Sequence, residues 1–266
     1  MEIKMADVAT LRKMTGAGMM DCKNALTEAE GNFERAQEII REKGKLIASK
    51  RADRSASEGV VISRIIGTKG YMLCLACETD FVSKGDEFHA AAEKFLDKAI
   101  KADIADQAAL VALVGDEATQ LSGKTGEKIE IAFYGKIEAP MCVTYIHTNN
   151  KLGALIGFNK EVSMDLGKDV AMQAAAMAPV SISEADCDKE IIEKEHKIGM
   201  EQAKMEGKPE KLYEMIASGK VKKFLNENTL LNQAMVKDNK KSVAEYIHSV
   251  VADATVVAYK RFSLND

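Results

Sequence analysis

Cys74 and Cys77 stand in a C-x-x-C spacing, which serves thiol redox chemistry or zinc binding when both sulfurs can reach one point. Residues 71–76 form an apolar run of strand length, and on a strand positions three apart point to opposite faces, so the two thiols diverge. No second pair is present to complete a metal site. The four histidines, His89, His147, His196 and His248, are far apart in sequence, and none falls in a ligand-spaced or nucleophile-paired motif. No glycine-rich phosphate loop is found either. An enzyme reading has little to stand on, and no catalytic residue, metal or cofactor is expected.

The stretch Cys77-Glu78-Thr79-Asp80-Phe81-Val82-Ser83-Lys84 offers the chemistry of contact instead. It follows the apolar run and precedes residues 88–100, where apolar residues recur at helical spacing, so it is a strand-to-helix corner. Side chains exposed at such a corner are well placed to act on another molecule. Asp80 sets a charge beside Phe81, a ring that must find an apolar home. A plainer reading stays open beside this one, with Asp80 capping the helix and Phe81 in the core.

Behind that corner stand 266 residues, enough for at least one full core and for division into more than one domain. The formal net charge of −4 gives no general field to hold nucleic acid or an anionic membrane, so a folded protein partner fits better. No apolar run approaches a membrane span, and Met1-Glu2-Ile3-Lys4 lacks the apolar core of a signal peptide. The expected location is cytoplasmic. Five cysteines, an odd number scattered over the chain, do not suggest a disulfide framework.

Residues 5–44 read as three short helices. Asp7 is a candidate cap for the first, with Val8, Leu11 and Met14 on one stripe before Thr15-Gly16 ends it. The second carries Met19, Cys22, Ala25 and Leu26. Asn32 is the expected cap of the third, whose inward face is Phe33, Ala36, Ile39 and Ile40 and which Gly44 closes. The residue three after Asn32 is Arg35, so no reciprocal capping box is expected. Met19 and Met20 are adjacent and cannot both face one core, so one of them is expected at the surface. Residues 45–58, with Lys45, Lys50, Arg51 and Arg54 among Ala and Ser, read as a linker, in part helical, whose flexibility would let the three helices move.

From residue 59 the pattern changes to strands and repeats itself. A hairpin of 60–66 and 71–76 precedes the helix 88–100, and a hairpin of 141–147 and 152–158 precedes a helix at 163–177. Between them lie a helical segment at 107–114, another from Asp116, and an alternating strand through Ile129, Ile131 and Phe133. Two α+β subdomains are the simplest architecture. Residues 186–205 and 210–225, separated by Gly207-Lys208-Pro209, read as a helical hairpin. Its expected seam is Ile191, Ile198 and Met205, answered by Leu212, Met215, Ile216 and Phe224, with charges elsewhere, as in a protruding antiparallel coiled coil. A helix at 242–251 and a strand at 254–262 complete the second subdomain.

Thr15-Gly16-Ala17-Gly18-Met19-Met20-Asp21-Cys22-Lys23, then Ala25-Leu26, and later Thr79-Asp80-Phe81-Val82, resemble the bacterial translation elongation factor Ts family. Further stretches extend the resemblance over nearly the whole chain: 145–156, Lys208-Pro209-Glu210-Lys211, 219–224, 230–238 and Ala258-Tyr259-Lys260-Arg261-Phe262. The implied fold is α+β. It has a three-helix, UBA-like docking domain at 1–45, a linker at 46–58, and a first core subdomain at 59–139. A second subdomain combines 140–180 with 229–266, and a coiled-coil hairpin occupies 181–228.

The function implied by the resemblance is guanine-nucleotide exchange on the GDP form of elongation factor Tu, with no direct nucleic-acid or membrane partner. Thr79, Asp80, Phe81 and Val82 would meet the partner's Mg²⁺ and nucleotide region. Arg12, Met19, Met20 and Lys23 would hold its nucleotide domain, and His147, Met235 and Val236 would hold another domain. Asn149 and Asn150 replace the glycines usual at the second hairpin tip, a mild change because Asn tolerates a left-handed backbone. The strand 129–134 lacks the family's frequent paired arginines. Longer members continue past the closing strand with a further helical segment that touches the partner, so that contact is expected to be absent from a chain ending at Asp266.

Overall fold

The hydrophobic periods of the sequence resolve into helices and short antiparallel sheets in a computed structural model that describes residues 3–264. Met1 and Glu2 of the start region, and the chain end at Asp266, lie outside the described residues. The elements in order are α1 (Met5–Thr15), α2 (Met19–Glu28), α3 (Phe33–Lys50), β1 (Glu58–Ile66), β2 (Lys69–Cys77), α4 (Asp80–Ser83), α5 (Asp86–Lys101) and α6 (Gln107–Thr125). Then follow β3 (Glu130–Glu138), β4 (Met141–Ile146), β5 (Leu152–Phe158), α7 (Met164–Met177), α8 (Lys189–Met205) and α9 (Tyr213–Asn228). The chain closes with β6 (Ala234–Met235), β7 (Asp238–Ser242), α10 (Val243–Val250) and β8 (Val256–Ser263). The architecture is α+β, with strand orders β1-β2-β3, β4-β5-β8 and β6-β7.

Two compact units are present. One comprises residues up to Ile62, Leu73–Gly135 and Leu264; the other comprises Ser63–Met72 and Lys136–Ser263. In the first, α1, α2 and α3 enclose a small core of Val8, Leu11, Cys22, Ala25, Leu26 and Ala36. Asn32 caps α3 by accepting from the Arg35 amide at 3.0 Å, as its position predicts. Asp7, by contrast, is not a cap: α1 begins at Met5 after Lys4, which leaves Asp7 within the first turn, where its charge still suits the helix dipole.

Gly44 does not close α3, which runs on to Lys50. The reason is tertiary. Gly44 is buried where α3 passes α6, and a Cβ on Gly123 of α6 would lie 2.6 Å from the Gly44 Cα. The glycine there permits close helix approach. Residues 107–125 likewise form one helix rather than two, because the roughly 1 kcal/mol helix penalty of Gly115 is too small to break a turn that is otherwise supported. Asp106 caps it, and Gly126, at φ 73°, ends it.

The second unit is centred on Val143, Ile156, Phe158, Leu166, Val170, Leu230, Val243 and Ile247. Strand β5 pairs antiparallel with β4 from Met141↔Phe158 to Ile146↔Gly153, and with β8 on its other edge. Ser163 caps α7, and Ser242 with Glu245 forms a full capping box on α10. In the pair α8 and α9, the expected seam is corrected at two positions: Ile191, Ile198, Leu212, Ile216 and Phe224 are half-buried, but Met205 and Met215 are exposed, and the fully buried positions are Gly199, Ala203, Ala217 and Leu225. A Cβ on Gly199 would lie 2.8 Å from the Ala217 Cα, so the helices meet on small residues and leave the methionines outside.

Candidate functional site

Strand β2 is buried from Gly70 to Cys77, and the chain reaches the surface within the next few residues. Both sulfurs of the C-x-x-C are enclosed, and burial pushes the Cys74 thiol upward, away from the reactive thiolate. All five cysteines are buried thiols outside any disulfide. Among the described residues, no group of three or more His, Cys, Asp or Glu is arranged to hold a metal ion.

The corner contains a step that the sequence pattern misses: the four-residue helix α4 stands between β2 and α5. Thr79 occupies its N-cap position in extended backbone, φ −126° and ψ 156°, and Asp80 is in the first turn, paired with Lys84 at 2.6 Å. Asp80 is therefore not the cap. The Ser83 amide donates to the Thr79 carbonyl, and Lys84 to that of Asp80. This one turn puts Ser83 inward and Phe81 outward. Phe81 is 88% exposed, the most exposed of the large hydrophobic side chains described, and Val82 beside it is half-buried. The ring does not find its apolar home within this chain.

Behind the corner is a carboxylate clamp. Glu127 Oε2 accepts from the Glu78 and Thr79 amides at 3.1 and 3.0 Å, and Oε1 accepts from the Thr79 hydroxyl at 2.6 Å. In return the Lys128 amide donates to Glu78 Oε1 at 2.7 Å. Arg51, just past the end of α3, donates from Nη1 to Glu78 Oε2 at 2.9 Å. Glu127 stands 48 and 49 residues from its corner partners, so no local signal in the sequence points to it.

The remaining candidates fall on two other surfaces. Arg12 on α1, and Met19, Met20 and Lys23 on α2, are all exposed in the first unit. Both methionines are outside rather than one, Met19 at 40% and Met20 at 63% exposure, because Cys22, Ala25 and Leu26 already fill the space facing α1 and α3. His147, in the second unit, is half-buried after β4; its Nδ1 lies 2.9 Å from the Tyr145 hydroxyl. Asn150, in the following turn, has the left-handed φ of 55° that Asn accommodates.

Met235 and Val236 separate. Met235 is 2% exposed, inside the core and paired in β6, so it is not the offered loop hydrophobe that its neighbour is. Val236 is 67% exposed, and its amide donates to the buried Gln173 Oε1 at 2.8 Å. Gln173 also donates from Nε2 to the Ala234 carbonyl, so one side chain fixes the loop on both sides of Met235. A surface hollow of about 440 Å³ lies here, lined by Met172, Ala176, Met235 and Val236, with Asp169 and Lys237 at its polar side. Asp169 accepts from Lys237 and from the Tyr246 hydroxyl, and these bonds raise the pKa of both partners.

Comparison with known proteins reaches the whole of this arrangement. A family model described as "Elongation factor TS" matches residues 78–266, beginning at the corner. A protein of Christiangramia forsetii named Elongation factor Ts is 45% identical over 271 residues, covering 99% of each chain. Proteins of the same name from Porphyromonas gingivalis and Hydrogenobaculum are 43% and 39% identical, each over 99% or more of this chain. With the family match covering well over half of the sequence and such relatives aligned almost end to end, the chain belongs to the elongation factor Ts family.

Proposed function

We propose that this protein is the guanine-nucleotide exchange factor of elongation factor Tu in translation elongation, acting in the cytoplasm on the GDP form. It binds that form, expels GDP and leaves when GTP rebinds, making and breaking no covalent bond itself. The observation that carries the reading is Phe81, an almost fully exposed ring held beside an acidic side chain on a short, clamped turn. In water such a ring is an unfavourable exposure of apolar surface, and burial in a partner's pocket removes it.

On this reading α4 is the wedge. Phe81 takes an apolar pocket, while Asp80 disturbs the charge and water arrangement around the partner's Mg²⁺, on which the nucleotide phosphates depend. Thr79 and Val82 flank the contact. Arg12, Met19, Met20 and Lys23 grip the nucleotide domain, and His147 with Val236 holds a second domain; Met235 supports Val236 from beneath. By linkage, a factor that lowers nucleotide affinity has its own affinity lowered equally by nucleotide, so capture and release form one cycle.

The test is stopped-flow release of a fluorescent GDP analogue from purified elongation factor Tu. The protein should accelerate release in proportion to its concentration until saturation. Release at the spontaneous rate, whatever the concentration of this protein, refutes the exchange reading.

A further inference from the structure

We propose that Glu127 is the positioning residue of the exchange corner, an inference that rests on the exchange reading above. Helix α4 has only four residues, too short to hold a direction of its own, since a single turn fixes several dihedral angles for few hydrogen bonds. Phe81 has scant protein around it to steady the ring from its own side. The direction of the wedge is therefore set where the chain enters α4, at the backbone of Glu78 and Thr79, and there the Glu127 carboxylate accepts two consecutive amides and the Thr79 hydroxyl. Bonds to a charged acceptor are the strong kind.

The clamp is anchored from both sides. Gly126, at φ 73°, turns the chain out of α6 and delivers Glu127 to the corner, and the next amide, Lys128, binds Glu78 Oε1. Arg51 binds the same Glu78 carboxylate, which ties the end of α3 to the corner. The three-helix part and the wedge thus share one hydrogen-bonded junction. Glu127 acts through Thr79 and α4; on this account it touches neither partner nor nucleotide.

Three substitutions at this position separate positioning from mere stability. Glu127→Ala removes all three acceptor contacts. Glu127→Gln can restore them, because its carbonyl oxygen can accept both amides and its amide nitrogen can donate to the Thr79 hydroxyl. Glu127→Asp keeps the charge but withdraws it by one methylene. The experiment is GDP-analogue release from elongation factor Tu over a range of factor concentrations, with hydrogen exchange at the Glu78 and Thr79 amides, and with Asp80→Ala/Phe81→Ala as reference.

E127A should lower the maximal release rate about tenfold or more, the scale of a misplaced working group, while the half-saturating concentration changes little because the other grips remain. E127Q should recover most of the rate, and the two amides should exchange faster in E127A and E127D but not in E127Q. Should E127A not fold, E127D carries the test and should also lose maximal rate. An E127A or E127D protein whose amides open but whose maximal rate is intact overturns the proposal, as does a loss that E127Q leaves unrepaired. If the reference double variant is itself fully active, the reading of the corner fails; if the reference is impaired and E127A is not, only the positioning role fails.

Discussion

The crossing of α3 and α6 gives a stability test in which two chemically identical substitutions should behave oppositely. Gly44 and Gly123 face each other, but not symmetrically. A methyl group on Gly123 would sit 2.6 Å from the Gly44 Cα, whereas one on Gly44 would sit 3.5 Å from the Thr119 carbonyl oxygen and 3.7 Å from the Gly123 Cα. Carbon atoms in contact prefer separations of about 3.5–4.0 Å, so Gly123→Ala must push the helix backbones apart by about 1 Å. Overpacking of this kind costs about 1–3 kcal/mol. Gly44→Ala meets ordinary contact distances and gains up to about 1 kcal/mol of helix propensity, so it should be neutral or stabilising. Thermal unfolding followed by circular dichroism measures both, at about 2–4 °C per kcal/mol for a chain of this size. Hydrogen exchange along α3 should rise in G123A alone. Gly123→Ala makes the same propensity gain, so it should fall below G44A by about the overpacking cost; if the two variants are equally stable, the close crossing does not exist in solution.

Other outcomes follow from burial and charge. Phe81→Ala should change stability by less than about 0.5 kcal/mol, since the ring is exposed, yet it should remove about 1.5–3 kcal/mol of docking energy, a tenfold to hundredfold loss of exchange efficiency. Equal losses of stability and exchange contradict this. For Glu117, burial acts to raise the pKa, but its bonds and attraction to Lys94 and Lys98 outweigh that and leave it lowered. A folded-state value below the unfolded value of about 4.3 stabilises the fold above that pH, and the benefit is lost as pH falls through the folded-state value. Glu117→Gln should therefore be less stable than the parent at pH 7 and converge with it in acid; a gap that is constant with pH refutes the ion-pair account. Finally, a colorimetric thiol reagent should find no fast-reacting cysteine in the native protein and all five after unfolding. A rapid native reaction would reopen a thiol role for Cys74 and Cys77.

Local signals were read well where the physics is local. The cap Asn32, the repeated hairpins and the left-handed Asn150 depend on neighbours within a few residues, and the structure has each of them. A glycine need not end a helix: Gly44 marks a helix crossing inside α3, and Gly115 is half-buried within an unbroken α6. The seam of α8 and α9 departs from the sequence pattern at Met205 and Met215. Regularly spaced large residues suggest a coiled-coil core, but the closest approach of the helices is at the small residues Gly199 and Ala217, and Met205 and Met215 are outside.

At the candidate site, the residue types were legible and their surroundings were not. Asp80 and Phe81 stood out in the sequence, although the exposure of Phe81 depends on the extra turn α4 that separates it from the core face of α5. Met235 and Val236 looked equivalent; β-pairing and the bonds of Gln173 turn one inward and the other outward. Glu127 gave no sign at all, because a carboxylate gains its role only when folding brings it to amides almost fifty residues away.

The central claim is that Asp80 and Phe81 on the clamped turn drive GDP out of elongation factor Tu. The most direct measurement is the rate of labelled GDP loss from that protein with the intact factor and with the Asp80→Ala/Phe81→Ala variant, both shown to be folded. The account predicts strong acceleration by the intact factor and a sharp fall in the variant. Equal acceleration by both would contradict it.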